Sequence, residues 1–321
     1  MNQRALILAI AAFWTAAQPA QAQQPYPSKP LRIIVSVPPG GGMDGICRVV
    51  AKEMVASLGQ PVVVENRPGG GENIGINSVA KSAPDGYTLL FSSNTIAMNP
   101  SLYKSLPYDA MKDLAAVGRI TTMTMLIVSH PSVPVRNISE LISYAKQNPD
   151  KLSYGTPGTG TPHHLAMELF KSAAGIRIIH VPYKGTGPGI SDMLGGHIPL
   201  LVATTAPIKQ QVQQGLVRAL GSMDRTRHAE FKDVAAINET LPGFDVGIWH
   251  GIFAPTGTPA PIMRKLSGVL QSVVAEPQFK NQMSAMGVES RWVAPDEVMT
   301  LLKSEQDKWA DATRKAGIEP E

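Results

Sequence analysis

Apolar and polar residues change period repeatedly along this chain, and the changes mark its elements. Residues 31–37 are almost wholly apolar and rich in β-branched side chains, which predicts a buried strand. The run passes into Pro38-Pro39-Gly40-Gly41-Gly42. Beyond it Ile46, Cys47, Val50, Ala51, Met54 and Leu58 recur at helical spacing and predict a helix over 44–58. The alternation continues, with strands predicted at 61–65, 88–92, 126–129, 151–154, 177–181, 198–203 and 217–222. Helices are predicted near 73–82, 139–147, 162–174, 186–195 and 206–214. Such alternation argues for an α/β fold of mainly parallel sheets with helices on both faces. In the last third, Pro255, Gly257, Pro259 and Pro261 punctuate the entry to a helix at 260–274. Helices near 277–286 and 295–316 are expected to clad an existing sheet. A mature chain of about 300 residues exceeds one ordinary core and argues for two domains.

The first glycine run has chemical consequences. Gly40, Gly41 and Gly42 carry no Cβ, so a ligand can approach their backbone closely. The amides of such a loop and of the first helical turn are unpaired donors at the positive end of a helix dipole. Together they make a pocket for a carboxylate or a phosphate. A second loop of the same kind is Tyr154-Gly155-Thr156-Pro157-Gly158-Thr159-Gly160-Thr161-Pro162-His163-His164. There Thr161 is placed to cap a helix and Pro162 to occupy its first position, leaving free amides beside the hydroxyls of Thr156 and Thr159. Both loops fall at the carboxyl ends of strands, where open α/β sheets bind ligands. Two such sites predict a cleft that closes on a ligand with two acidic ends.

Residues 1–22 read as a secretory signal: Arg4 supplies the positive region, residues 5–14 are apolar, and Ala20-Gln21-Ala22 is a small-x-small cleavage site. The apolar run is too short to span a bilayer, and no cysteine stands beside the cleavage site to take a lipid. A soluble periplasmic protein is expected. Cys47 is the only cysteine, so an intramolecular disulfide is impossible, and its place in the apolar stripe marks a buried, inert thiol. The 29 basic residues exceed the 25 acidic ones by a net +4, and they are dispersed. Without a basic cluster or interleaved aromatics, nucleic-acid binding has little support.

Six motifs, in order, resemble the Bug family, the periplasmic solute-binding proteins of tripartite tricarboxylate transporters. They are Tyr26-Pro27-Ser28-Lys29-Pro30, the Pro-Gly-Gly-Gly-x-Asp loop ending at Asp44, Gly59-Gln60-Pro61-Val62-Val63-Val64-Glu65-Asn66-Arg67-Pro68-Gly69, Ala83-Pro84-Asp85-Gly86-Tyr87-Thr88-Leu89, His180-Val181-Pro182-Tyr183-Lys184-Gly185 and Ala254-Pro255-Thr256-Gly257-Thr258-Pro259. The resemblance implies a two-lobed, type II-like Venus-flytrap protein. One lobe would hold residues 23–125 and 225–321, the other 126–224. It implies capture of a carboxylate by main-chain amides and hydroxyls of the two loops, here Pro39, Gly40, Gly41, Gly42, Met43 and Asp44 with Thr156, Gly158, Thr159, Gly160 and His164. Ser92, Ser93 and Asn94, after the third strand, would add hydroxyl or amide contacts. Thr204 and Thr205 stand where relatives often carry an acidic residue, which disfavours an amino acid and favours a plain acid. The implied partners are the membrane permease subunits, and a monomer without cofactor is expected.

Individual residues carry competing readings. Asp44 either caps the first helix or orients water or the far end of the ligand. Of the adjacent His163 and His164, one is expected to contact the ligand or brace the loop while the other is structural. Adjacent histidines suit a metal poorly, and the remaining five are scattered, so no metal site is expected. Trp249 packs the core or, less simply, walls the cleft. Tyr183 and Lys184 are placed to close over an anion, although a loop lysine is commonly just solvated. An enzyme is not expected: a Gly-x-Ser-x-Gly elbow is absent, and the Ser-x-x-Lys matches starting at Ser78, Ser101 and Ser143 lack their companion motifs. Transport-linked capture leads. A sensor presenting the bound acid to a two-component receptor, or a periplasmic hydrolase, is the alternative.

Overall fold

The computed structural model describes residues 25–315 and 317–320, so the signal segment, 1–22, lies outside the described residues. β1 (Leu31–Val35), α1 (Gly42–Leu58), β2 (Val62–Asn66), α2 (Asn73–Ala80) and β3 (Thr88–Ser93) follow as the periodicity requires. The three strands pair in parallel with β1 in the middle, and helices on both faces explain why Ile33, Ile34 and Val35 are all buried. After α3 (Thr95–Leu102), α4 (Ala110–Asp113) and β4 (Leu114–Met123), the chain crosses to a second sheet. There it forms β5 (Met125–Ser129), α5 (Ile138–Gln147), β6 (Ser153–Thr156), α6 (Pro162–Ala174), β7 (Ile179–Pro182), α7 (Thr186–Leu194), β8 (Leu200–Thr204), α8 (Thr205–Gln213) and β9 (Arg218–Ser222). It returns through α9 (Ile237–Thr240) to β10 (Ile248–Pro255), then α10 (Ala260–Ala275), α11 (Pro277–Ala285), β11 (Glu289–Val293) and α12 (Pro295–Lys315).

The result is a two-lobed α/β protein with one sheet in each lobe. The first sheet has the order β11-β4-β10-β3-β1-β2 and the second β7-β6-β8-β5-β9. The expectation of mainly parallel sheets needs correcting in detail. The triples β2-β1-β3 and β7-β6-β8, which carry the glycine loops, are parallel, while β10, β4, β11, β5 and β9 pair antiparallel. A parallel neighbour needs a crossover connection to turn the chain round, and only the strands of these two triples are joined that way to parallel partners.

The C-terminal third does more than clad a sheet. β10 and β11 complete the first sheet, and Trp249 and His250 lie inside β10. α12 packs against α3, β4 and α6 and so touches elements of both lobes. One apolar cluster accordingly runs through the molecule, from Ile34 and Leu90 to Ile127, Phe170 and Val202, joined by Trp309 of α12. Separate clusters lie beneath α1, α10 and α11 on the first sheet and beneath α7 and α8 on the second. No helix among the described residues is long and apolar enough to cross a membrane.

Candidate functional site

The first glycine loop leaves β1 and is exposed from Pro38 through Gly42. Gly41 caps α1 in extended conformation with no side-chain cap bond, so the first-turn amides of α1 keep no side-chain partner. Gly40 takes a φ of +87°, a region where a side chain would be strained. Asp44 does not cap the first helix. Its Oδ2 accepts from the Gly40 amide at 2.9 Å and from Arg48 Nε at 2.9 Å, and its Oδ1 accepts from Asn66 Nδ2 at 2.8 Å. Asn66 Nδ2 also donates to Val37 O at 3.1 Å, so the loop is tied to α1 and to the end of β2. The Arg48 hydrogen bond, with the Gly40 and Asn66 donors, holds the Asp44 carboxyl down at about 2. Asp44 is the brace of the loop.

The second loop is braced from below. Thr161 caps α6 by accepting from the His164 amide at 3.4 Å and donates to Gly158 O at 2.7 Å, with Pro162 at the first helical position. Thr156 Oγ1 lies 2.7 Å from His180 Nε2 and accepts from the Gly158 amide at 3.3 Å. His164 Nδ1 accepts from the Gly160 amide at 3.2 Å, and its ring stacks on His180 with centroids 3.9 Å apart. Beneath these rings Glu168 Oε1 accepts from Lys171 Nζ at 2.6 Å and from the Tyr154 hydroxyl. Burial pushes His163 and His180 down to about 4 and lowers His164, so all three are neutral near pH 7. An anion at this loop meets oriented dipoles rather than formal cations. The Thr159 side chain is exposed and makes no hydrogen bond among the described residues.

The other sequence-predicted residues stand as follows. Ser92, Ser93 and Asn94 are buried at the end of β3. Ser93 Oγ engages Thr95 Oγ1 at 2.8 Å, and Asn94 Nδ2 donates to Gly247 O at 3.2 Å, leaving Asn94 Oδ1 unpartnered. Thr204 and Thr205 lie buried where β8 meets α8. Met43 is half-buried in the first turn of α1. The Tyr183 hydroxyl is engaged, donating to Asp192 Oδ2 at 2.8 Å, and Lys184 is exposed. Trp249 takes the packing role of the two weighed, its buried Nε1 donating to Glu305 Oε2 at 2.9 Å. Cys47 is buried in α1, and desolvation raises its thiol.

The lobes meet beside α1 and again beside the second loop. The turn Met286-Gly287 meets α1 on one side and α8 on the other. Met286 Cε lies 3.1 Å from where a Cβ on Gly45 would stand, and a Cβ on Gly287 would stand 2.1 Å from Ala206 Cβ. At another edge a cavity of about 390 Å3 has Glu72 and Thr95 on one wall and Thr159, Gly160 and Thr161 on the other. Sequence reasoning passed over Ser36 and Glu72. Ser36 Oγ, Glu72 Oε2 and both ring nitrogens of His163 are buried without a partner. A signal for Glu72 existed: Gly69-Gly70-Gly71 is a third glycine run opening a helix. No cluster of three or more metal-ligating side chains occurs among the described residues.

Residues 46–318 match the family model described as the tripartite tricarboxylate transporter family receptor. The chain belongs to that family. Protein BugT of Bordetella pertussis is 33% identical over 295 residues, 91% of this chain and 90% of the relative. Among solved structures, the periplasmic binding protein BugD is 35% identical at a TM-score of 0.73, covering 92% of this chain and 100% of its own. An R. palustris protein with adipate is 29% identical at a TM-score of 0.76, covering 92% and 100%. MatC from Rhodopseudomonas palustris with bound malate is 28% identical at 0.71, covering 89% and 99%. Receptors of this family are periplasmic solute-binding proteins and not enzymes.

Proposed function

We propose that this receptor captures a small dicarboxylate, aliphatic or aromatic, and delivers it to the membrane subunits of a tripartite tricarboxylate transporter. The lobes that close on it are residues 23–125 with 225–321 and residues 126–224, and residues 1–22 direct export to the periplasm. The observation that carries this reading is the pair of helix N-termini, α1 and α6, each opening from a glycine-rich loop at the carboxyl end of a parallel strand. In the proposed complex the unengaged amides of Gly41, Gly42, Met43 and Thr159 donate to one carboxylate, and Thr159 adds a free hydroxyl. Ser92, Ser93, Asn94, Thr204 and Thr205 line the remainder, with His164 and Tyr183 behind the second loop. Two relatives hold adipate and malate, both dicarboxylates, which supports the preference.

Thermal unfolding of the mature protein against aliphatic dicarboxylates, tricarboxylates, aromatic acids and amino acids tests this. A ligand at about 100 times its dissociation constant adds roughly 2.7 kcal/mol and raises the midpoint. A shift confined to dicarboxylates is the expected result; equal melting with every acid in the panel overturns the proposal.

A further inference from the structure

The cavity of about 390 Å3 lies between the lobes: Glu72, Thr95 and Tyr103 line it from one, Thr159, Thr161 and Pro162 from the other. Its second wall is therefore the loop proposed to take the ligand's first carboxylate, and Thr95 continues the Ser92-Ser93-Asn94 segment. Glu72 is the unusual member. It adopts a φ of +77°, in the left-handed region that disfavours a side chain, and it ends a run in which Gly69, Gly70 and Gly71 also have positive φ. That conformation sets Glu72 at the start of α2. Its Oε2 is shut off from solvent and has no hydrogen-bond partner. A buried, unpaired carboxylate oxygen is costly, and structures keep one only where something compensates.

We propose that this cavity is a distal subsite of the cleft, in which the Glu72 side chain, holding a proton, turns its unpartnered oxygen into the cavity and donates a hydrogen bond to the second carboxylate of the ligand. The inference rests on the dicarboxylate reading above and deepens it. The donor is an O–H on Glu72, the acceptor an ionised ligand oxygen, and the proton comes from solvent as the complex forms. Desolvation lifts the Glu72 carboxyl to about 7, while the Thr95 hydroxyl works in the opposite direction. A second carboxylate arriving beside it raises it further, because two anions in a desolvated site cannot both remain charged. The other titratable groups facing the cavity are Tyr103 and Glu319; Tyr108 lies close by, and His163 follows Pro162 and is neutral near pH 7. None of these supplies a cation to pair with the ligand instead. A protonated carboxyl reads a carboxylate and has nothing to offer a methyl group, so Glu72 separates diacids from monoacids of equal length.

The test is titration calorimetry of the full mature protein with adipate and, as the matched monoacid, hexanoate, at about pH 6 and about pH 8.5. The variants are Glu72→Gln, which keeps a donor, and Glu72→Gly, which removes the side chain at a φ that suits glycine, so folding is preserved. Adipate is expected to bind the parent at least about tenfold more tightly at the lower pH, while hexanoate shows no such gain. Glu72→Gln is expected to keep adipate affinity and lose the pH dependence, and Glu72→Gly to lose about tenfold for adipate alone. Adipate affinity that is unchanged in Glu72→Gly, or pH dependence that persists in Glu72→Gln, overturns the subsite while leaving carboxylate capture standing. A parent protein that binds neither acid and is not stabilised by any dicarboxylate of the thermal panel overturns both.

Discussion

Replacing Asp44 by alanine tests whether the first loop is built as described. Three donors converge on this carboxylate, from Gly40, Arg48 and Asn66, and its side chain is only 4% exposed. The Gly40 and Asn66 bonds go to a charged, buried acceptor and contribute about 1–1.5 kcal/mol each at the low end of such bonds. Arg48 is half exposed, so its pair with Asp44 adds less than about 1 kcal/mol. The sum is about 3 kcal/mol, a fall in melting temperature of about 5 °C for a chain of this size. Release of the loop also returns backbone freedom that a ligand must remove, at about 1–2 kcal/mol per residue, so carboxylate affinity falls about tenfold or more. The pH dependence has a definite sign. The folded Asp44 carboxyl sits at about 2, below the ordinary aspartate range, so its contribution is present from neutrality down to about pH 4 and vanishes as pH falls towards 2. Calorimetric melting of parent and Asp44→Ala across that range should therefore show a gap that closes in acid. A gap below about 1 °C at neutral pH refutes the brace, and a gap that is the same at pH 2 as at pH 7 refutes its electrostatic origin.

Two further changes address the first loop and the crossings between lobes. Gly41 has a φ of −76° and a Cβ there would make only ordinary contact, 3.8 Å from Pro38 O, so Gly41→Val should melt within about 2 °C of the parent yet lose at least about tenfold in carboxylate affinity, as read by calorimetry. Asp224, which follows β9 and accepts from the Thr124 hydroxyl between β4 and β5, is raised to about 6, chiefly by burial. Its folded value lies above the unfolded one, so the parent loses stability, by at most about 3 kcal/mol, as pH rises from about 4 to about 6, and Asp224→Asn should melt with that decline removed.

Local patterning made much of the fold legible. β1, β2, β3 and the alternation through β9 come from runs whose period changes sharply, and the helix over 162–174 was readable to the residue because Thr161 and Pro162 announce it and Gly175 closes it in the left-handed region. α3 escaped because it has no polar face: Ile96, Ala97, Met98 and Asn99 are all buried, and Pro100 inside it reads as a break. β4 escaped because what makes Ala115, Gly118 and Arg119 strand residues is supplied by distant partners. β10 pairs along its length, and the Trp292 ring lies where a Cβ on Gly118 would stand, 2.3 Å from the nearest ring carbon. Such context belongs to tertiary structure and leaves no period in the sequence.

The candidate site was legible in a different sense. Residue types pointed to the two glycine-rich loops, yet several polar side chains nominated there turn inward. Asp44 secures Gly40, His164 secures Gly160, Thr156 is engaged with His180 and Gly158, and the Tyr183 hydroxyl goes to Asp192. A glycine-rich loop has little to hold it except its neighbours, since glycine loses more conformational freedom on ordering than any other residue. Side chains that bond loop amides and carbonyls offset that cost before a ligand arrives, and the amides they leave free point where the helix dipoles are positive. Because the nearby histidines are neutral, this arrangement favours negative charge without offering a formal counter-charge. Recognition of this kind accepts any carboxylate of suitable size. In that reading discrimination among acids falls to residues outside the two loops, and Ser36, Glu72 and Asn94, at the end of β1, the start of α2 and the end of β3, each leave a buried oxygen unpaired.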